Sequence, residues 1–256
     1  MNFTVENLEF FILIMVRISA FIFTAPIFSM PNTPRKVKAG LSFFLSVIVF
    51  QMLPYEPVAY TGVIGFATQV FKEAAAGLLI GFMANICAYI LGFAGSIIDM
   101  EIGFSMVNEM NPVANMQTTI TSNYYTYFVM LMLLITDMHY YIIYALFDTF
   151  KVVPVGRVSP KADLYLVMAR FIGDYFIIGF RIALPIFSAM LLVNVVLGIL
   201  AKVAPQMNMF VIGIQLKIVV GLFILFLIAS LLPAVSQFIF QEMRVMMQMV
   251  TRALAP

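Results

Sequence analysis

The titratable side chains of this sequence do not form a recognisable catalytic pattern. Asp99, Glu101 and Glu109 are closely spaced acids, but no basic or metal-binding residue accompanies them in their segment. His139 is the single histidine, which rules out a His-Glu-x-x-His zinc motif. Because it follows Asp137 in an otherwise apolar, tyrosine-rich segment, we interpret it as a hydrogen-bonded turn or interface residue rather than a general base. The sequence predicts no catalytic residue and no enzymatic activity.

Motifs that bind cofactors, metals or nucleic acids are also missing. No Gly-x-x-x-x-Gly-Lys-[Ser/Thr] loop occurs, and Gly92 and Gly95 form no dinucleotide fingerprint. Cys87 is the single cysteine, which excludes an internal disulfide and a multi-thiolate metal site, and we expect it to be a small packing residue. The net charge of +2, with no basic run interleaved with aromatics, excludes a nucleic-acid partner. We therefore expect no metal, cofactor or nucleic acid.

The charges that stand out are those inside apolar surroundings. On insertion scales, a charge at the centre of a bilayer costs about 2.5–3.5 kcal/mol. Arg170, Asp174 and Arg181 share one helical face at i, i+4 and i+11, so they can neutralise one another. We expect structural ion pairs between helices there, with a substrate or proton path as the alternative. The charged residues within or beside apolar stretches are Arg17, Lys72, Glu73, Arg170, Asp174, Arg181 and Lys217.

The composition identifies the elements that must carry these charges. Hydrophobic residues make up 63% of the 256 positions, charged residues make up 10%, and the mean hydropathy is +1.05. A soluble domain has roughly 45–50% apolar and about 25% charged residues. So much apolar surface needs lipid or a very hydrophobic partner to cover it. The sequence predicts an all-α, multi-helix membrane-type protein.

Prolines separate most of the predicted helices. A full membrane span takes about 20 residues, and two of the predicted helices are clearly shorter than that. Pro185 lies between two apolar runs and predicts either a kink or a fresh helix start. The acidic N-terminus lacks the positive region of a cleaved signal peptide, so we expect the first run to be retained. The predicted runs are 8–30, 39–53, 74–98, 124–150, 164–182, 186–201 and 210–232, followed by an amphipathic, methionine-rich helix at 234–254.

Loop charges predict an orientation in the membrane. The bases at 35–38 follow the first run, whereas the N-terminal tail and the 54–61 loop hold acids alone. By the positive-inside rule, the N-terminus and the 54–61 loop are predicted outside, and the 35–38 loop in the cytoplasm. Lys151, Arg157 and Lys161 mark a second predicted cytoplasmic loop.

Small residues recur at four-residue spacing along the run at 74–98. Such a stripe lets another backbone approach closely. Packing within the chain and a contact between subunits are both open interpretations. The stripe consists of Gly77, Gly81, Ala84, Ala88, Gly92 and Ser96.

Two segments resemble the FliR/SctT family, the single-copy export-gate subunit of the flagellar and type III secretion apparatus. Residues 95–106 read GSIIDMEIGFSM and lead to Asn111–Pro112, and residues 201–213 read AKVAPQMNMFVIG and lead to Lys217. With the order and lengths of the apolar runs, the resemblance covers essentially the whole chain. One departure is Asn111, where the family pattern has an aspartate before the proline.

The resemblance implies an architecture and partners. Residues 1–182 would be a FliP-like part, and residues 183–256 a FliQ-like hairpin plus the amphipathic C-terminal helix. The chain would join FliP-type and FliQ-type subunits in a helical hetero-oligomer of the bacterial inner membrane, within a flagellar or injectisome basal body. That assembly would export unfolded protein substrates, contact membrane lipid and dock a FlhB/SctU-type switch protein. The alternative function is a secondary transporter or small channel, although the halves show no convincing inverted repeat.

Two segments are candidate functional sites. The 104–118 segment mixes polar groups with large flexible apolar ones, and we interpret it as a non-helical plug of the export channel, with an ordinary surface loop as the alternative. The proposed plug residues are Phe104, Met106, Asn108, Met110, Asn111, Pro112 and Met116. The turn after the run at 186–201 is predicted to cap the next helix and face the cytoplasmic switch protein, as is the 35–38 loop. The proposed contact residues in and around the turn are Lys202, Pro205, Gln206, Asn208 and Lys217.

The charges at Arg17 and Lys217 give one further expectation. An isolated charge in hydrocarbon is costly, so we expect both side chains to be buried by other subunits, with the small-residue stripe as a matching contact face. The alternative is a bundle whose charges face its own interior.

Overall fold

The structure is a computed structural model that describes residues 4–30, 33–104, 109–111, 116–206 and 208–256, with the backbone alone described at 109–111, 116–118 and 209–210. Helices dominate it, which confirms the predicted all-α class apart from two three-residue strands. In chain order the elements are α1 (Val5–Thr24), α2 (Arg35–Met52), α3 (Gly62–Ile102), β1 (Glu109–Asn111), β2 (Met116–Thr118), α4 (Ile120–Ile135), α5 (Met138–Val152), α6 (Leu164–Val203), α7 (Met209–Ile228), a 3₁₀ turn (Ala229–Leu231) and α8 (Leu232–Leu254).

Side-chain caps start two of the helices. Thr4 Oγ1 accepts a hydrogen bond from Asn7 N at the start of α1. Asn208 Oδ1 accepts one from Val211 N at the start of α7, as the sequence predicts for that turn. Each cap satisfies a backbone N–H that the first helical turn leaves without a partner.

The run predicted as one helix at 124–150 is two helices. α4 ends at Ile135, and α5 begins at Met138. Asp137 between them has a left-handed backbone with φ 56°, which a helix cannot continue through. The single-helix prediction was wrong because hydropathy does not register two polar residues, Thr136 and Asp137, inside a long apolar run.

Two other predicted boundaries are also corrected. The runs 164–182 and 186–201 form one 40-residue helix, α6, and Pro185 lies inside it rather than starting a new helix. An interior proline removes one backbone hydrogen bond, and helices in apolar surroundings tolerate this loss. α3 begins at Gly62, well before the predicted start at 74, because Lys72 and Glu73 lie within it instead of ending it.

The chain divides into two compact units. The first comprises Met1–Cys87, Asp137–Ile172 and Phe240–Pro256. Its interior is filled by apolar side chains from α1, α3, α5 and α8. Representative fully buried residues are Leu13, Ile14, Phe21, Ile80, Met83, Ile142, Leu146, Met246 and Val250. The apolar face of the amphipathic helix α8 therefore covers this unit, and its methionines pack there.

The second unit comprises Ala88–Thr136 and Gly173–Ile239. Its core comes from the second half of α3, α4 and part of α6, with Ile90, Ile98, Tyr125 and Met190 fully buried. β1 and β2 pair antiparallel, with Glu109 opposite Thr118 and Asn111 opposite Met116.

Several described helices can span a membrane by length and composition. They are Val5–Thr24, Gly62–Ile102, Leu164–Val203 and the stretch Val211–Leu254, and the broken pair of α4 and α5 would make a fifth. These helices fit the membrane-type protein that the composition predicts.

The small-residue stripe on α3 packs within the chain, at least at its glycines. A Cβ at Gly77 would collide with Arg17 O, and one at Gly81 with Thr24 Oγ1, both on α1. Gly92 lies against Ser122 Oγ of α4. Of the two interpretations of this stripe, packing within the chain therefore holds at these glycines, which let α1 and α4 approach α3.

Candidate functional site

A fully buried ion pair joins α1 to α3. Arg17 and Glu73 are both 0% exposed. Arg17 Nε donates to Glu73 Oε2 at 2.5 Å, and Nη2 donates to Oε1 at 2.9 Å. This two-pronged geometry is the strongest form of a carboxylate–guanidinium contact, because two parallel bonds align the planes of both groups. The pair thus fixes the separation and the rotation of the two helices at this level.

The segment after α5 forms further hydrogen bonds with both side chains of the pair. Arg17 Nη1 donates to Val153 O at 2.8 Å, and Gly156 N donates to Glu73 Oε1 at 2.7 Å. The guanidinium carbon lies 4.4 Å from the centroid of the Phe150 ring. A buried charge is tolerated only when it is paired and hydrogen-bonded, and this network meets both conditions.

The backbone at Gly156 is adapted to this network. Its φ is +77°, and a Cβ there would collide with Val58. Glycine adopts a left-handed φ without the steric penalty of other residues. Position 156 can therefore present its N–H to Glu73 while the 53–61 loop packs closely against it.

The expectation that other subunits bury Arg17 was wrong, because its partners all belong to this chain. The sequence held one usable signal: opposite charges at Arg17 and Glu73, each in an apolar helix, are a candidate pair. Spacing alone could not identify it, because 56 residues separate the two. Lys217 is partly buried and has no ion-pair partner among the described residues.

One end of the first unit gathers loops that the charge rule placed on opposite sides of a membrane. Arg157 Nη2 lies 3.2 Å from Glu56 Oε2, which joins the 153–161 and 53–61 loops. Ser159 N donates to Leu254 O, so the end of α8 lies there too. The opposite-side assignment was therefore wrong. Arg157 did not report orientation, because its charge is compensated by an acid of the neighbouring loop.

The N-terminal acids lie at the same end. Tyr60 Oη donates to Glu9 Oε2 at 2.5 Å, and Tyr55 Oη donates to Glu6 Oε2 at 3.3 Å. The hydrogen bond to Glu9, together with partial burial, raises the pKa of Tyr60 above the ordinary value of 10.0. These contacts fix the 53–61 loop to the start of α1.

A second buried carboxylate positions the start of α4. Asp99 is 0% exposed, and it accepts hydrogen bonds from Thr121 N at 2.8 Å and from Thr121 Oγ1. Gly95, one turn earlier on α3, lies against the backbone of Thr121 and Ser122 so closely that a Cβ would collide with it. These contacts hold α3 and α4 together close to the points where the 104–118 segment begins and ends. This role of Asp99 could not be predicted from the sequence, because its partner is the start of a helix rather than a basic side chain.

The predicted plug is described in part. Phe104 follows the end of α3 and is half-buried, and β1 and β2 show the non-helical backbone that the sequence predicts at 109–111 and 116–118. Met110, Asn111 and Met116 lie in these strands with the backbone alone described. The predicted plug residues Met106, Asn108 and Pro112 lie outside the described residues.

The face of Arg170, Asp174 and Arg181 lies on α6. Both arginines are exposed, and Asp174 is half-buried. Among the described residues, the ion pairs are Arg17–Glu73, Lys151–Asp148 and Arg157–Glu56, so none involves this face. The structural ion pairs predicted for these three residues therefore stay a prediction.

The predicted contact residues flank the connection between α6 and α7. Lys202, at the end of α6, and Pro205, Gln206 and Asn208 in the turn are exposed, and Lys217 lies two turns into α7. The turn therefore presents its polar side chains outward.

The described residues hold no group of three or more His, Cys, Asp or Glu that could bind a metal ion. His139 lies in the first turn of α5 with its ring 4.2 Å from that of Tyr140, and its buried Nδ1 lacks a hydrogen-bond partner among the described residues. The turn position is as predicted, but a hydrogen bond at Nδ1 is not formed. Cys87 is fully buried, as expected for a packing residue.

The family profile described as "Bacterial export proteins, family 1" matches residues 8–243. The chain is 30% identical to the flagellar biosynthetic protein FliR of Bacillus subtilis (strain 168) over 243 residues, covering 94% of this chain and 93% of that protein. The chain belongs to the FliR family of bacterial export proteins. FliR of Aquifex aeolicus (strain VF5) is 28% identical over 244 residues, covering 93% of both chains, and FliR of Escherichia coli (strain K12) is 28% identical over 224 residues, covering 88% of this chain and 84% of that protein.

Membership in the FliR family gives the buried network a context. The profile match includes both Arg17 and Glu73, and it ends at residue 243, inside α8. The ion pair, the Asp99 cap and the turn between α6 and α7 all lie within the part of the chain that the FliR family shares.

Proposed function

We propose that this chain is the single-copy FliR-type subunit of a type III protein export gate, and that it forms, with FliP-type and FliQ-type subunits, the channel through which unfolded substrates pass. Family membership supports a role in flagellar export. The structural observation that carries the gate assignment is the length of the apolar surface on α3 and α6.

Exposed apolar side chains extend along α3 from Val63 to Met100 and along α6 from Tyr165 to Val203. At 1.5 Å per residue, these stretches are about 56 and 57 Å long. The hydrocarbon core of a bilayer is about 30 Å thick, and a tilt of 40° would shorten a straight helix of that length to about 43 Å along the membrane normal. The hydrocarbon core therefore cannot cover all of this surface, and apolar protein neighbours would cover the rest.

The hairpin of α6 and α7 is the part that we assign to FliQ-like packing. In the most apolar windows of α6 and of the stretch Val211–Leu254, 22% and 11% of the residues are buried, against 50% in α3. The FliP-like part at 1–182 and the FliQ-like part at 183–256 meet inside α6, so one continuous helix joins them. In the assembly, the neighbours of α6 supply partners for Arg170, Asp174 and Arg181, and those of α7 supply one for Lys217.

The 104–118 segment is the proposed plug of the channel. Asp99 and Gly95 hold its flanking helices together. A plug between these helices would therefore have fixed anchors at both ends. Deletion of residues 107–117 is expected to make the assembled gate permeable to ions and small molecules. A deletion strain as impermeable as the parent strain would refute the plug assignment.

The turn between α6 and α7, together with residues 35–38, which form the first turn of α2 rather than the predicted loop, is the proposed cytoplasmic contact with a FlhB/SctU-type protein. It presents Pro205, Gln206 and Asn208 outward, with Lys202 and Lys217 on either side. Single cysteines at positions 202–210 are expected to crosslink to the co-expressed partner, most efficiently from position 208. No crosslink from any of these positions would count against this surface.

Co-expression tests the gate assignment itself. The tagged chain, produced with the FliP-type and FliQ-type proteins of the same organism, should elute in mild detergent as a large hetero-oligomer containing one copy of this chain. A transporter or small channel would instead elute alone or as a small homo-oligomer. That elution, together with normal protein export in a strain lacking this chain, would overturn the proposal.

A further inference from the structure

We infer that the groove between α5 and α8 binds the headgroup of an acidic phospholipid. A cavity of about 300 Å³ lies between these helices near their C-terminal ends. Its polar lining includes Tyr141 and Lys151 from α5 and Gln248 and Arg252 from α8. These four side chains can all donate hydrogen bonds, which suits a phosphate diester.

The charges of the groove favour an anion. Lys151 Nζ bonds Asp148 Oδ1 at 2.8 Å, so the single acid of the lining is already paired with a base. Arg252 is exposed and forms no ion pair with any described residue. An arginine without a carboxylate partner presents a planar set of donors that matches phosphate oxygens.

A second arginine extends the groove along α8. The Arg244 guanidinium lies 4.1 Å from the centroid of the Tyr141 ring, which holds it over the same seam. Arg244 and Arg252 are eight residues apart, about 12 Å along the helix. With Lys151 and Asp148, the seam contains three bases and one acid, a net charge of +2.

The surroundings favour a lipid over an acidic peptide. Tyr144 and Val152 on α5 and Val245 on α8 are exposed apolar residues on the two helices that form the seam. An acidic phospholipid would satisfy the bases with its phosphate and the apolar side chains with its acyl chains. Tyrosine is enriched at the depth where headgroups meet hydrocarbon, and basic pockets between helices bind anionic headgroups.

Lipid binding to the full-length chain tests this inference. The purified protein in neutral detergent is titrated with phosphatidylglycerol or phosphatidylcholine, and bound lipids are counted by native mass spectrometry. We expect phosphatidylglycerol to bind at least about tenfold more tightly. Each of Arg244→Gln and Arg252→Gln should weaken that binding about fivefold, since a base near an anionic surface contributes roughly 1 kcal/mol. Arg252→Lys should retain most of the affinity.

The control variant is Arg170→Gln, which removes an exposed arginine of α6 outside the groove. It should leave the preference for phosphatidylglycerol unchanged. Equal affinity for the two lipids, or an equal loss in the Arg170→Gln variant, would overturn the proposed site. Tighter binding of a hexaglutamate peptide than of phosphatidylglycerol would also overturn it, in favour of an acidic protein segment.

Discussion

The interior of the first unit and the hairpin of α6 and α7 meet the demands of an apolar environment in opposite ways. In the first unit, the charges of Arg17 and Glu73 are buried and bonded entirely within the chain. On the hairpin, large apolar side chains such as Leu192 and Phe226 stay exposed, and Lys217 has no ion-pair partner among the described residues. The first region is self-sufficient, whereas the second needs lipid or other proteins to complete it.

Composition alone cannot tell how the charges in such apolar helices are accommodated. An apolar sequence with charges in its helices could hide those charges inside itself or against neighbours. The structure assigns Arg17 to the first case. Arg170, Arg181 and Lys217 form no ion pair among the described residues, so the second case is the proposal for them. Substitutions in the two regions should therefore differ in what they damage: folding of the isolated chain in the first, assembly in the second.

The largest expected effect comes from breaking the ion pair. Glu73→Ala leaves Arg17 charged and buried without its partner, which costs about 3–5 kcal/mol. The apparent melting temperature of the purified chain in detergent should fall sharply. The adjacent Lys72→Ala, which removes a half-buried charge outside the network, should change it little.

The double variant Arg17→Met with Glu73→Leu removes both charges but keeps two apolar side chains of similar volume at these positions. Apolar replacements of similar volume are often neutral or stabilising for a buried pair. Val153 O and Gly156 N also lose their partners in this variant. We therefore expect the double variant to melt well above Glu73→Ala but below the wild type. A Glu73→Ala variant that melts like the wild type would mean that the network does not hold the first unit together.

The Asp99 cap should have an intermediate effect. Asp99→Ala leaves Thr121 N and Oγ1 buried without an acceptor, a loss of about 1–3 kcal/mol. Glu101→Ala, two residues further on, is the matched control, because this half-buried acid forms no ion pair among the described residues. Thermal unfolding in detergent compares the two variants. Equal melting temperatures would show that the cap contributes nothing to the joining of α3 and α4.

The predictable part of this structure is what periodicity and helix-stop signals encode. The starts of α7 and α8 follow from the Pro205 turn and Pro233 to within two residues, and the methionine-rich face of α8 is buried as amphipathicity requires. The break predicted at Pro185 was wrong, because an interior proline removes a single backbone hydrogen bond and an apolar helix can continue past it. Arg17 with Glu73 and Asp99 with Thr121 could not be paired from spacing, since each contact joins distant parts of the chain.

A smaller effect is expected at the end of the first unit, where Tyr60 donates to Glu9. The raised pKa of Tyr60 means that folding favours its neutral form, so the stabilisation is complete below pH 10.0 and is lost as pH rises through the higher folded-state value. Because partial burial and Glu6 also raise the pKa of Tyr55, Tyr60→Phe should weaken rather than abolish this pH dependence, as measured by thermal unfolding between pH 8 and pH 11. Tyr165→Phe, an exposed tyrosine of α6, should keep it. An unchanged profile in Tyr60→Phe would show that the hydrogen bond does not couple to folding.

The smallest effect on the stability of the isolated chain is expected for substitutions on the hairpin. These substitutions test whether the hairpin depends on neighbours, unlike the first unit. Phe226 of α7 is 77% exposed, so Phe226→Ser removes almost no contact within the chain and should change its stability by less than about 0.5 kcal/mol. The same change at Phe171 of α6, which is 1% exposed, should cost about 3–5 kcal/mol, because it opens a cavity.

Phe226→Ser should instead reduce the amount of chain recovered in the hetero-oligomer after co-expression, since a protein neighbour would lose an apolar contact. If Phe226→Ser assembles as well as the wild type, lipid rather than protein covers this part of α7. If it lowers the melting temperature as much as Phe171→Ser, the hairpin is no less self-sufficient than the first unit.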